Sequence, residues 1–152
     1  LSPAFIPVMA LVADTGSGGT GIEFRTSSSG KLQCNVRSAT VEILSQSSDS
    51  ALGLSAYHMV GLSLNEATGA GGGFLYVDGG YAQVGASNTF DSTYASPSSG
   101  NAAQTMQIGA LGSAAIPSSS GQRLACLAAW STALTKANLD SIWAAMRGRF
   151  GL

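Results

Sequence analysis

The chain has 152 residues, a formal net charge of −1 and 10% charged residues, against about 25% in an ordinary globular protein. It offers no basic field to attract phosphate, which argues against nucleic acid as a partner. Its 45% hydrophobic content argues against disorder, and no apolar run nears the roughly 18 residues that span a bilayer, so membrane insertion is not expected. Ala, Gly, Ser and Thr stand where charge would be, which gives a weakly hydrated surface suited to cover by other chains.

Taken in chain order, residues 1–13 are apolar but have no basic leader and are interrupted by Pro3 and Pro7, unlike a signal peptide. With no initiator Met, the sequence reads as the C-terminal part of a longer protein or a processed product. A strand is expected from Phe5 to Val12, with Pro7 marking an edge or bulge. The glycines of residues 14–21 are not followed by a Lys-Ser/Thr pair or a helix start, so they read as a hairpin loop and not as a phosphate cradle. Residues 22–25 and 32–37 alternate apolar and polar side chains around Ser27-Ser28-Ser29-Gly30, predicting a hairpin with one wet face. A short strand at residues 41–44 is followed by a polar loop, residues 45–50.

Residues 57–65 read as a strand with Val60, Leu62 and Leu64 on one face; a glycine-rich turn leads into a second strand, Phe74-Leu75-Tyr76-Val77, and Asp78-Gly79-Gly80 turns the chain back. Val60, Leu62, Leu64, Leu75, Val77 and Ile108 are expected to share one core. Residues 85–105 form the longest irregular stretch, and long loops in compact domains tend to carry function. A short strand is predicted at residues 106–109, a polar loop at 113–122 and a longer strand at 123–130. The chain closes on a helix over about residues 136–147, with Thr135 at the N-cap, Leu139, Ile142, Trp143 and Met146 at helical spacing, and Gly148 as the stop.

Three patches in this order carry a resemblance to a known family: Tyr57-His58, Leu75-Tyr76-Val77-Asp78-Gly79, and the run Ala129-Trp130-Ser131-Thr132-Ala133-Leu134-Thr135 into the terminal helix. They resemble the laminin-G-like, concanavalin A-like lectin/glucanase sandwich family. The resemblance implies an all-β, antiparallel jelly-roll β-sandwich with one C-terminal α-helix, spanning residues 1–152 as one domain. It implies a fold and not a ligand, since turn and core residues serve any member.

The residues argue little for catalysis. Glycoside hydrolysis needs two carboxylates flanking the scissile bond, and no two of the eight Asp and Glu residues lie within six positions of each other; Glu23 and Glu42 are the one strand-borne couple. His58, the lone histidine, has no G-x-S-x-G elbow to serve and reads as a strand histidine satisfied by backbone or water. Cys34 and Cys126 stand on separate predicted strands, either as buried thiols or as a bridge, and two cysteines with one histidine make a poor zinc set. No cofactor is expected; the family resemblance leaves room for a rim calcium ion, with Asp14, Asp78 and Asp91 as candidates, but no ligand cluster concentrates them.

Sugar recognition needs aromatic platforms beside amide and carboxylate hydrogen bonders, and Tyr81, Asn88, Phe90, Asp91 and Tyr94 combine these within one loop system. Phe90 and Tyr94 equally suit pinning that loop to the core. The expectation is a non-catalytic recognition module on a virion surface or in an extracellular setting: a glycan- or receptor-binding domain of a phage appendage. The alternatives are a capsid or tail decoration without ligand and a bacterial extracellular adhesin domain. Expected partners are other copies or other chains of a larger assembly and a cell-surface glycan.

Overall fold

The computed structural model describes residues 6–12, 21–38, 41–53, 56–65, 72–86, 88–90, 107–108, 110–111, 116–117 and 125–152. Among these the architecture is mostly antiparallel β with one C-terminal helix. The strands are β1 (Ile6–Val12), β2 (Gly21–Thr26), β3 (Lys31–Ser38), β4 (Val41–Ala51), β5 (Val60–Leu64), β6 (Gly73–Val77), β7 (Gly80–Ala82), β8 (Gln107–Ile108), β9 (Ala110–Leu111) and β10 (Ile116–Pro117). They form a five-stranded sheet ordered β4-β3-β2-β1-β8, a three-stranded sheet β5-β6-β7 and the pair β10-β9. The chain divides into two compact units, Leu1–Ser47 with Tyr94–Cys126, and Ser48–Thr93 with Leu127–Leu152.

In the first unit, β1 pairs with β2 through a register shift between Pro7 and Met9, the irregularity expected where proline cannot donate to the ladder. The β2–β3 hairpin pairs Phe24 with Cys34 and Glu23 with Asn35, so alternate residues line opposite faces. Phe24, Leu32, Cys34 and Val36 are buried on one face. The other face is not wet as the alternation predicts: Glu23 and Asn35 are buried too. They tolerate burial because they satisfy each other. Arg25 Nη1 donates to Glu23 Oε1 at 2.6 Å, Asn35 Nδ2 to Glu23 Oε2 at 3.2 Å, and Ser45 Oγ to Asn35 Oδ1 at 2.9 Å.

The serine-rich stretch after Leu44, expected as a loop, continues β4 to Ala51. Its polar groups find partners along the way, Ser45 Oγ on Asn35 and the Asp49 amide on the Gln83 carbonyl at 2.7 Å. The expected strand at residues 123–130 is absent from residues 125–130, which are exposed and outside any strand. Three of these six are alanines, with little side chain to pack across a ladder. Cys126 is exposed and Cys34 buried, and both thiols are free. Burial first, and then Glu23, pushes the Cys34 thiol up to about 12.

In the second unit, the β5–β6 register sets Val60 against Val77, Leu62 against Leu75 and Leu64 against Gly73, which puts the five expected aliphatics on one face. Leu75 is fully buried and the other four are partly covered. Ile108 does not join them. It lies in the five-stranded sheet opposite Met9 and is 45% exposed. The opposite face, with Gly61, Ser63 and Tyr76, receives helix α1 (Lys136–Met146). Leu139 is the buried helix residue, and a Cβ at Gly61 would meet its Cδ1 at 3.5 Å. Ser63 Oγ donates to the Leu134 carbonyl at 2.8 Å, fixing the approach to the helix.

Thr135 is the N-cap and completes a capping box: its hydroxyl accepts from the Asn138 amide at 3.3 Å, and the Asn138 side chain accepts from the Thr135 amide at 3.0 Å. The α-helix ends at Met146 with Arg147 as its C-cap, directly before Gly148. The helix tightens into a 3₁₀ turn, Arg147–Arg149, and the left-handed glycine is Gly151, at φ +71°.

Candidate functional site

The functional features of the second unit gather around the β6–β7 hairpin. Asp78 and Gly79 both have positive φ, +49° and +92°, the backbone that a tight two-residue hairpin turn requires. Asp78 is held in this conformation through its amide and both carboxylate oxygens. Its amide donates to the Met59 carbonyl at 3.0 Å, Oδ1 accepts from the Met59 amide at 2.8 Å, and Oδ2 lies 2.6 Å from His58 Nδ1. The other ring nitrogen, Nε2, lies 3.0 Å from the Gly53 carbonyl. Residues 57–59 therefore leave the expected strand, which begins at Val60: His58 and Met59 are bonded to the turn instead of a neighbouring strand.

On the helix side of the turn, Lys136 Nζ lies 2.7 and 2.6 Å from the two Asp140 oxygens, and Tyr76 OH donates to Asp140 Oδ1 at 3.0 Å. The Lys136 ammonium holds the Asp140 carboxyl below the usual carboxylate range, helped by the tyrosine hydroxyl and opposed by partial desolvation. Burial, then the bond to Asp140, pushes the Tyr76 hydroxyl up to about 12. Lys136 also lies 5.6 Å from the Tyr81 ring centroid.

Beside β7 is a cleft of about 250 Å3, lined by Ser48, Ser50, Ala51, Leu52, Val77, Tyr81, Ala82 and Gln83. The end of β4 is held there by the Asp49 amide on the Gln83 carbonyl and by the Gly85 amide on Asp49 Oδ1 at 2.8 Å. Tyr81 is 37% exposed, and its ring is braced edge-on against Phe74, with centroids 5.1 Å apart. The lining pairs a partly apolar floor with hydroxyl and amide groups and carries no charged side chain.

The residues expected from sequence separate here. Tyr81 lines the cleft and Asn88 is exposed. Of the two readings for Phe90, packing fits and a ligand platform does not: it is fully buried, and its ring packs so tightly that a Cβ on Gly73 would come within 2.7 Å of it. It pins the loop, its amide donating to the Gly73 carbonyl at 2.9 Å, and offers no face to a ligand. Asp91 and Tyr94 lie outside the described residues, as does Asp14. The part of the lining from β4 had no sequence signal, since its serines read as a loop, and Gln83 was not singled out by any motif.

Among the described residues, no group of three or more His, Cys, Asp or Glu is placed to hold a metal ion, and both Asp78 oxygens are already engaged. Both oxygens of Glu23 are likewise bonded within the first unit, and the side chain of its suggested partner Glu42 lies outside the described residues. No described helix is long and apolar enough to cross a membrane.

Compared with protein-family models and with curated proteins, the chain gives no match. Among solved structures it is similar to an S-layer domain-containing protein from Clostridium thermocellum, with 19% sequence identity and a TM-score of 0.41. That likeness covers 86% of this chain and 59% of the other.

Proposed function

We propose that the chain is a non-catalytic recognition module of the laminin-G-like, jelly-roll type, displayed on a virion surface or in an extracellular setting as part of a phage appendage, and that it binds a neutral glycan. The observation that carries this reading is the uncharged cleft beside β7, with Tyr81, 37% exposed, and Gln83 and Ser50 in its lining. A sugar presents C–H-rich faces that suit an aromatic platform and hydroxyls that need amide and hydroxyl partners. At about 250 Å3 the cleft falls just below the usual range of small-molecule sites, about 300–1,000 Å3.

A non-catalytic role is supported by the state of the carboxylates near this cleft. Asp49, Asp78 and Asp140 are each committed to hydrogen bonds that hold turns or the helix. A glycan array probed with the whole chain tests the proposal. Capture of uncharged glycans is the expected result, and an array with no binding contradicts it.

A second reading, an assembly module without ligand, is favoured by one observation. Residues 125–130 are exposed along their length, with Trp130 at 50% and Leu127 at 37% exposure. On that reading, copies or other chains cover a patch of roughly 800 Å2 per subunit, a standard specific interface. A stable monomer in dilute solution by analytical ultracentrifugation contradicts it.

A further inference from the structure

We propose that Gln83 sets the direction of hydrogen bonding in the cleft: its side-chain oxygen receives a hydroxyl proton, so the cleft takes neutral, hydroxyl-donating sugars and refuses a carboxylate at that point. The proposal names a specificity-determining residue of that site and rests on the reading of the cleft as the recognition surface. Gln83 is exposed and belongs to the lining. Its Nε2 donates to the Gly85 carbonyl at 2.9 Å, and a carbonyl only accepts, which fixes the end of the amide that is nitrogen. One Nε2 hydrogen is thereby spent, and Oε1 has no partner among the described residues.

A free glutamine turns its amide over to meet either a donor or an acceptor. Gln83 is held from doing so by a closed circuit of hydrogen bonds. The Asp49 amide donates to the Gln83 carbonyl at 2.7 Å, the Gly85 amide donates to Asp49 Oδ1 at 2.8 Å, and the Gly85 carbonyl receives Gln83 Nε2. Gly85 has φ +59°, a left-handed conformation that glycine adopts without strain. Turning the amide over would set Oε1 against the Gly85 carbonyl, two acceptors with no proton between them. Asp49 is not in the lining; it acts through Gly85 and is a positioning residue.

The rest of the lining carries no such direction. Ser50 and Tyr81 have hydroxyls, which rotate to donate or accept. Ser48 Oγ donates to the Ser50 carbonyl at 2.8 Å, and the remaining lining side chains are apolar. An ionised carboxylate has no proton to give to Oε1, whereas every sugar hydroxyl has one.

The test is NMR titration of the whole chain, at neutral pH, with the methyl glycosides of glucose, galactose and mannose. Their monodeoxy and monodeoxyfluoro analogues and the corresponding uronates are titrated beside them. A deoxy position neither donates nor accepts; fluorine accepts weakly and cannot donate. The expected result is one hydroxyl at which deoxygenation and fluorination weaken binding alike, roughly fivefold, as loss of one hydrogen bond implies. Gln83→Met, close in length but without the amide, should erase that difference. Asp49→Ala should make the Gln83 side-chain amide more mobile by nitrogen relaxation and narrow the preference for hexoside over uronate. Asp49→Asn, which keeps an oxygen for the Gly85 amide, should restore both.

Fluorine tolerated where deoxygenation is not overturns the proposal, because Gln83 would then be donating. A preference that Asp49→Asn loses as fully as Asp49→Ala also overturns it, since charge and not the held amide would set it. Hexosides that bind with no hydroxyl sensitive to Gln83→Met overturn it while the recognition reading stands. A chain that binds none of the hexosides overturns it too, and a silent glycan array takes the recognition reading with it.

Discussion

The indole of Trp143 lies against Gly79 so closely that a Cβ on residue 79 would come within 2.8 Å of Nε1 and 2.9 Å of Cδ1. The same residue has φ +92°, so two independent constraints reserve the position for glycine. Helix α1 is thereby keyed to the hairpin that lines the cleft.

Replacing Gly79 with Ala should cost about 2–4 kcal/mol, from left-handed strain together with the displaced indole. Urea unfolding followed by tryptophan fluorescence reads it. A cost below about 0.5 kcal/mol would mean that Trp143 does not pack on the turn.

Leu75 and Ile108, expected together in one core, should behave differently. Leu75 is fully buried opposite Leu62, and Leu75→Ala should cost about 2–5 kcal/mol. Ile108 is 45% exposed in another sheet, and Ile108→Ala should change stability by about 0.5 kcal/mol or less. Equal costs in denaturant titrations would contradict the sheet assignment.

These contrasts show which features sequence reasoning reaches. The Asp78-Gly79 turn, the Thr135 cap and the pairing of Val60, Leu62 and Leu64 with β6 are local: each is set by chirality, capping or a period of two, and each was legible. Phe90, Ile108 and the end of β4 are not local. Phe90 sits in a polar stretch of sequence, and its ring is buried in the space that Gly73, lacking a Cβ, leaves open. Ile108 follows its sheet and not its hydrophobicity. Residues 45–50 continue a strand in which Asn35 meets Ser45 and Gln83 meets Asp49, a partnership that no pattern in the stretch itself discloses. Half of the cleft was invisible for this last reason.

Tyr76 should ionise late. Its hydroxyl is pushed up to about 12, above the ordinary tyrosine value, by burial and by the bond to Asp140. The sign is that of a group whose folded value is raised: the neutral hydroxyl contributes stability below the unfolded value of about 10, and that contribution is lost as pH rises toward 12. Alkaline titration by ultraviolet absorbance should show one late tyrosine, and Tyr76→Phe should remove it. If all tyrosines ionise together near pH 10, the Tyr76–Asp140 bond is not present in solution.

The central claim is that the cleft beside β7 takes a neutral sugar through Tyr81, and isothermal titration of an array-selected glycan into the whole chain and into Tyr81→Ala tests it most directly. Tyr81 is 37% exposed and contributes to the cleft wall, so the variant should keep its fold by circular dichroism while binding weakens at least roughly tenfold, about 1.4 kcal/mol. Unchanged affinity in a folded Tyr81→Ala chain would contradict the account and place recognition elsewhere on the surface.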